Sequence, residues 1–170
     1  MPNYELDNIY MNIVREILDN EEFQKLDNIR HHSSTRLNHC IKVSYQSYLL
    51  AKKLKLNYVE VARAGLLHDF YLGQVSEQNG IKNKVALFTT EHPEQAVQNS
   101  LKYFDLSERE QDIIRTHMFP IDIKIPKYAE SWLVSFVDKY VSAKEFGYKF
   151  STKLSWIANV YVLMFLRNFK

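Results

Sequence analysis

The sequence contains little cysteine, glycine and proline, and each shortage excludes a class of structure. Cys40 is the single cysteine, so an intramolecular disulfide is impossible and a reducing, cytoplasmic setting is expected. Only 4 glycines and 4 prolines occur in 170 residues, and no Pro-, Gly- or Ser-rich linker, internal repeat or low-complexity tract interrupts the chain. A chain of this length without linkers predicts one domain over residues 1–170.

The sequence also lacks a dominant charge and a long hydrophobic run. Its formal net charge is +2, which is too small to indicate a nucleic-acid or membrane partner. The most apolar stretch, residues 154–166, is too short to cross a bilayer and includes Ser155 and Asn159. We interpret it as part of a C-terminal helix at about 152–168 that is buried in the protein core. A helix at an oligomer contact and a membrane-surface helix are the alternatives. Residues 1–7 lack the basic and apolar regions of a signal peptide.

The residues that are present have the composition of a packed helical protein. Hydrophobic residues make up 46% of the chain and aromatic residues 14%, which excludes a disordered chain. Apolar residues recur at helical spacing. The pairs Asn57 with Glu60 and Ser107 with Glu110 have the spacing of capping boxes and predict helix N-termini. These patterns predict an all-α fold, a compact single-domain helical bundle.

Glycine, proline and small polar residues indicate where helices stop and loops begin. A helix is expected over about 131–145, with Gly147 as its stop. Gly, Ser, Asn and Thr residues predict a long loop over 71–90, and Pro93, shortly after it, is expected at the first position of a helix. The two prolines of 120–126 predict an extended connection. Both loops are placed to rim a site.

Histidine and aspartate residues form the candidate site. His68 and Asp69 end a run of small and apolar residues, where a charged group needs a partner or a metal. Asp138 lies between two valines at helical spacing, and the adjacent cation, Lys139, is expected to face about 100° away. Taken singly, each candidate has an ordinary explanation as a hydrogen-bonded core residue. Together they come from five segments and form a ligand set that suits Zn, Fe, Mn or Ni: His39, His68, Asp69, His92, His117 and Asp138.

The order of these ligands resembles the HD-domain phosphohydrolase superfamily. A lone histidine (His39), the His68-Asp69 doublet and a distant aspartate (Asp138) reproduce its pattern. His92 and His117 match the two additional histidines of the binuclear branch. The layout is most similar to small bacterial stand-alone members, such as the dinucleotide tetraphosphate hydrolases of the YqeK type.

The residues around the ligands extend the resemblance, which covers about residues 33–145. Arg36-Leu37-Asn38-His39 is similar to the family's Arg-x-x-His entry, and residues 64–69 are similar to its Ala-x-Leu-x-His-Asp helix. Many relatives continue the doublet with Ile-Gly-Lys, whereas this chain has Phe70-Tyr71-Leu72, so a lysine that often contacts phosphate is absent. No Gly-Tyr-Pro signature follows, which argues against a cyclic di-GMP phosphodiesterase.

The resemblance implies a centre with two transition metals per chain, for which Fe and Mn are the first expectations. The first metal would have four ligands: His39, His68, Asp69 and Asp138. Asp69 would bridge to a second metal, which His92 and His117 would also bind. The implied activity is hydrolysis of a phosphate ester or anhydride of a nucleotide or dinucleotide polyphosphate by a metal-activated hydroxide, with His68 and Asp69 as catalytic residues.

Charge on the transferred phosphoryl group needs stabilisation beyond the metals. Basic residues close to the ligands in sequence are candidates, although a solvated surface position is the ordinary role of such side chains: His31, His32, Arg36 and Lys139. We expect a small phosphorylated substrate, no nucleic acid and no membrane, and leave a homodimer open. A non-catalytic nucleotide-sensing HD domain and a di-iron oxygenase on the same scaffold are the alternatives, because a fold does not determine chemistry.

Overall fold

α-Helices account for nearly all regular structure in the described residues. The computed structural model describes residues 4–31, 34–73, 81–146 and 164, with the backbone alone at 30–31, 81–90 and 146. Within these ranges lie the helices α1 (Asn8–Leu18), α2 (Glu21–Gln24), α3 (Arg36–Leu54), α4 (Tyr58–Leu67), α5 (Ile81–Tyr103), α6 (Glu108–Thr116) and α7 (Ala129–Phe146). The same ranges also contain two short 3₁₀ helices, Tyr4–Leu6 and Lys25–Asn28. They contain one antiparallel strand pair, β1 (Arg30–His31) with β2 (Ser34–Thr35). The predicted all-α fold is confirmed.

Side-chain caps determine where α4 and α6 begin. Asn57 Oδ1 accepts a hydrogen bond from the Glu60 N–H at 3.3 Å, and Ser107 Oγ accepts one from the Glu110 N–H at 3.1 Å. Glu110 Oε2 accepts in return from the Ser107 N–H at 2.8 Å, which completes a capping box. Both predicted helix N-termini are confirmed, but the capping box expected at Asn57 is incomplete, because the Asn57 N–H donates to Glu130 Oε1 at 3.1 Å.

Helices α3 and α4 approach each other closely at Gly65. A methyl group added at Gly65 would lie 3.1 Å from the Cα of Ser44, so a larger residue would push the two backbones apart. Ser44 Oγ donates to the Ala62 carbonyl at 2.6 Å and accepts from the Tyr10 hydroxyl at 2.8 Å, which ties α1 to the pair. This contact brings His68, at the end of α4, next to the first turn of α3.

The predicted loop at 71–90 is partly replaced by helix. Helix α5 already begins at Ile81, and Pro93 lies inside it and not at its first position. Both predictions are wrong at these points, because Asn83 and the Thr89-Thr90 pair are weak helix formers that a helix interior tolerates. A proline inside a helix costs about 3 kcal/mol or more, so the packing of α5 against α4 and α6 outweighs local propensity here.

The remaining predicted elements have mixed outcomes. Helix α7 covers the predicted 131–145, and 120–126 contains neither helix nor strand, as its prolines indicate. The helix predicted at about 152–168 and the stop at Gly147 lie outside the described residues, Met164 excepted. Among the helices that the structure describes, none is both long enough and apolar enough to cross a membrane.

Candidate metal centre

Five helices bring the predicted ligands to one buried place. The ligands lie in the first turn of α3 (His39), at the C-cap of α4 and just behind it (His68, Asp69), within α5 (His92), at the C-cap of α6 (His117) and within α7 (Asp138). All six side chains are buried. In each of three groups, the ligand atoms lie within 4.8 Å of one another: His39, His68 and Asp69; His68, His117 and Asp138; and Asp69, His92 and His117. These clusters could hold metal ions.

One part of the cluster is arranged around Asp138 and the end of α4, where His39, His68 and Asp69 lie close to one another. His39 Nε2 lies 3.0 Å from Asp138 Oδ1. His68 Nε2 lies 3.7 Å from the same oxygen and 3.9 Å from Asp69 Oδ2. Asp138 Oδ1 therefore lies within 4 Å of both imidazole nitrogens, and His68 Nε2 also lies within 4 Å of Asp69 Oδ2.

The group of Asp69, His92 and His117 is arranged around the other carboxylate oxygen of Asp69. Asp69 Oδ1 lies 3.4 Å from His92 Nε2 and 3.6 Å from His117 Nε2. The two histidine nitrogens are 2.9 Å apart. Asp69 therefore directs one oxygen towards His68 and the other towards His92 and His117.

Backbone carbonyls orient two of the ligand histidines. His68 Nδ1 lies 2.8 Å from the Gly65 carbonyl oxygen, and His117 Nδ1 lies 2.7 Å from that of Ile114. A proton on each Nδ1 leaves Nε2 with its lone pair directed at the centre. His68 Nε2 is buried and has no hydrogen-bond partner among the described residues. A buried nitrogen without a hydrogen bond costs free energy. The role of a metal ligand therefore explains His68 Nε2 better than the role of an ordinary core group does.

Burial and neighbouring charges set the protonation states of two ligands. Burial, together with the charges of His68 and His92, lowers the pKa of His117 well below its ordinary value. Burial raises the pKa of Asp138, but Lys139 and the histidine contacts outweigh burial and hold that pKa well below its ordinary value. His117 is therefore neutral and Asp138 ionised at neutral pH, which are the forms that bind metals.

The pKa of His39 is shifted upwards, in the direction opposite to that of His117. Burial lowers the pKa of its imidazole, but the hydrogen bonds with Asp138 and Glu145 outweigh burial and raise the pKa to about 9. A metal bound at Nε2 would displace the proton on that nitrogen. The proton on Nδ1 would remain for Glu145.

Arg36 is a buried cation at the edge of the ligand cluster. Its guanidinium donates to the Tyr71 carbonyl at 2.5 Å and to the Tyr71 hydroxyl at 2.9 Å. Its Nε is buried and has no hydrogen-bond partner in the part of the chain that the structure describes. The centroids of the Tyr71 and His92 rings are 5.2 Å apart. Arg36 is thus linked to the ligands through Tyr71, whereas Phe70 packs in the core against Phe23.

The other basic candidates differ in position. Lys139 Nζ donates to Asp138 Oδ2 at 2.8 Å and to the His117 carbonyl at 2.7 Å. The prediction that Lys139 faces away from Asp138 is wrong, because the flexible four-carbon stem of lysine lets its ammonium group reach back. The backbone of His31 forms part of the β1–β2 pair, and His32 lies outside the described residues.

Sequence reasoning missed Glu145, which contacts the centre from the last turn of α7. Its Oε2 lies 3.0 Å from His39 Nδ1, and its Oε1 accepts from Lys42 Nζ at 2.7 Å. The available signal was its spacing: Glu145 follows Asp138 by seven residues, which is two turns along the same helix face.

Comparison with known proteins agrees with this geometry. The model of the HD domain family matches residues 36–143. No curated protein and no solved structure matches the chain significantly. The family match spans more than half of the chain and includes every predicted ligand from His39 to Asp138. The chain therefore belongs to the HD domain family, whose members are generally metal-dependent hydrolases.

Proposed function

We propose that this protein is a metal-dependent phosphohydrolase with a binuclear centre, similar to the YqeK type, that acts on a nucleotide or dinucleotide polyphosphate. The observation that carries the proposal is the position of Asp69 between two histidine groups. Its Oδ1 faces His92 and His117 at 3.4 and 3.6 Å, and its Oδ2 lies 3.9 Å from His68. A carboxylate placed in this way can bridge two metals, the arrangement of many phosphate-cleaving enzymes.

The donor set supports two transition metals. Imidazole nitrogens suit Fe and Zn, and carboxylates suit Mn, so a mixed set is compatible with Fe or Mn. In the proposed assignment, His39, His68, Asp69 and Asp138 would hold the first metal, and Asp69, His92 and His117 would hold the second. When bound, such metals lower the pKa of a water molecule and neutralise charge on the phosphoryl oxygens.

Arg36 is the residue that we assign to the substrate phosphate. It is buried. Within the described ranges, no carboxylate pairs with it and its Nε has no hydrogen-bond partner. Because a buried cation needs an anion, a phosphate group would complete its surroundings. Leu72 stands where many relatives have a lysine, so Arg36 would supply the missing positive charge.

The other basic residues have different proposed roles. Lys139 is already paired with Asp138, and we assign it to holding this carboxylate in the ligand position. His31 and His32 precede the α3 entry in the chain and remain predicted phosphate contacts.

A groove of about 740 Å³ adjoins the segments that carry Tyr71 and His92. Gly73 and Glu91, which line it, are close to these residues in the chain. The other lining side chains are mainly polar, with the carboxylate of Glu94 beside amide and ammonium groups: Gln95, Gln98, Asn99, Lys102 and Lys124. The groove supports a substrate that extends beyond the reacting phosphate.

Elemental analysis combined with a phosphate-release assay on a nucleotide panel tests the proposal. Two metals per chain and phosphate release without oxygen consumption are expected. One metal per chain would contradict the binuclear centre. It would confine the metal site to His39, His68, Asp69 and Asp138. Oxygen uptake with an organic substrate would favour a di-iron oxygenase, and nucleotide binding without turnover would favour a sensing domain. A protein that takes up no metal after reconstitution would overturn the proposal.

A further inference from the structure

We propose that Glu145 is a positioning residue that fixes the ring of His39 as a metal ligand. The inference rests on the proposed metal centre and adds to it a residue that binds no metal itself. In the ligand groups formed by the described residues, Glu145 does not occur. Its contact with the centre is made through the far nitrogen of the His39 ring.

The His39 ring is held at both nitrogens. Nε2 lies 3.0 Å from Asp138 Oδ1, on the side of the ligand cluster. Nδ1 lies 3.0 Å from Glu145 Oε2, on the opposite side. A carboxylate at Nδ1 keeps the proton there, so Nε2 is the nitrogen that remains for the metal.

The Glu145 carboxylate is itself held in place. Its side chain is 6% exposed, and its Oε1 accepts from Lys42 Nζ at 2.7 Å and from Ser34 Oγ at 3.2 Å. With Oε1 engaged by α3 and β2, Oε2 is directed at the His39 ring. Lys42 also balances the negative charge, which makes a buried carboxylate tolerable.

The acceptor on His39 differs from those on two other ligand histidines. His68 and His117 direct Nδ1 to the carbonyls of Gly65 and Ile114, which are neutral acceptors. A charged acceptor raises the basicity of an imidazole more than a neutral one does, because it stabilises the positive charge that metal binding places on the ring. His39 is thus the ligand whose metal affinity depends on a side chain two helical turns beyond Asp138.

Metal affinity of Glu145→Ala and Glu145→Gln tests the inference. The dissociation constant for Mn²⁺ alone, measured by competition with a chromophoric chelator on metal-free protein, should rise 10- to 100-fold for Glu145→Ala. Glu145→Gln should show a smaller rise, because its amide oxygen still accepts the Nδ1 proton without the charge.

The matched control is Glu110→Gln, which also removes a buried carboxylate from an ion pair, here with Arg63 at 2.7 Å. It should lower the melting temperature and leave the Mn²⁺ dissociation constant unchanged. A second readout is the nitrogen NMR spectrum of His39 in Zn²⁺-loaded protein. It should show the proton on Nδ1 in the wild type and a shifted Nδ1 signal in Glu145→Ala.

The outcomes separate this inference from the proposed function. If the wild-type protein binds Mn²⁺ and both Glu145 variants have the same dissociation constant as the wild type, the positioning role alone is overturned. A wild type that binds no metal would overturn both the metal centre and the role of Glu145. If Glu145→Ala does not fold, the result for Glu145→Gln decides, and an affinity equal to that of the wild type would count against the inference.

Discussion

At the scale of single residues, Asp69 and His117 have different positions in the candidate metal centre. Asp69 faces both groups of histidines with separate oxygens. His117 has its Nδ1 anchored on a backbone carbonyl and its Nε2 2.9 Å from that of His92. It also lies within ligand distance of His68 and Asp138. Substitution of each residue can therefore distinguish one shared centre from two separable metal sites.

Replacing Asp69 with asparagine should lower the metal content of both sites and abolish phosphate release. The amide keeps the size of the side chain but loses the charge that a bridging ligand supplies. Metal per chain by elemental analysis and phosphate release on the same preparation are the measurements. Asp112→Asn is the matched control, because Asp112 is buried and accepts from Ser131 Oγ at 2.7 Å without belonging to a ligand group. Retained turnover in Asp69→Asn would rule out the bridging role.

Replacing His117 with alanine should empty mainly the second site. The proposed first site keeps its four ligands, so about one metal per chain should remain, with a dissociation constant within about threefold of that of the wild-type first site. Stepwise Mn²⁺ titration of metal-free protein measures this. An equal loss of both metals would show that His117 belongs to a single shared centre.

At the scale of secondary structure elements, the contact between α3 and α4 sets the distance between His39 and His68. The rings of these two ligands have centroids 5.4 Å apart. Gly65 permits this approach, since it lies one turn before His68 and against the backbone of Ser44. A change at Gly65 should therefore affect both stability and metal binding.

Gly65→Ala should lower the free energy of unfolding by about 1 kcal/mol. Overpacking a tight contact costs about 1–3 kcal/mol, and the higher helix propensity of alanine returns up to about 1 kcal/mol. Urea denaturation of metal-free protein measures the change. Gly73→Ala is the control, because a Cβ there meets Gln95 Oε1 at an ordinary 3.7 Å, and a change within about 0.5 kcal/mol is expected. A Gly65→Ala variant as stable as the wild type would contradict the close contact.

At the scale of the whole molecule, the proposed metals would join five helices that are distant in the chain. The ligands extend from His39 to Asp138 and come from α3, α4, α5, α6 and α7. Because the unfolded chain cannot present this set at one point, metal binding should stabilise the folded state.

Removing metal with a chelator should lower the melting temperature by about 5–10 °C. A ligand at 100 times its dissociation constant contributes about 2.7 kcal/mol, and each 1 kcal/mol shifts the midpoint by about 2–4 °C in a chain of this size. Differential scanning calorimetry before chelation, after chelation and after reconstitution measures the effect. In Asp69→Asn, chelation should shift the midpoint far less. An unchanged midpoint in wild-type protein would mean that no metal contributes to the fold.

Local features could be predicted because their physical causes lie within a few residues. The caps at Asn57 and Ser107 join a side chain to a backbone N–H three residues on. Spacing along one helix face was sufficient to predict α7. Before Pro93 the chain has weak helix formers, and there the same reasoning predicted a loop where helix α5 lies. It failed because packing outweighed helix propensity.

The sequence by itself determined the helical class, the helix starts at Asn57 and Ser107 and the six candidate ligands, because these depend on periodicity, caps and the order of His and Asp residues. The tertiary structure alone decided which atoms meet. Asp69 divides its oxygens between two groups of histidines, and Glu145 reaches His39 across 106 positions of the chain. Contacts of this kind depend on how helices pack, and packing is set by side chains far apart in sequence.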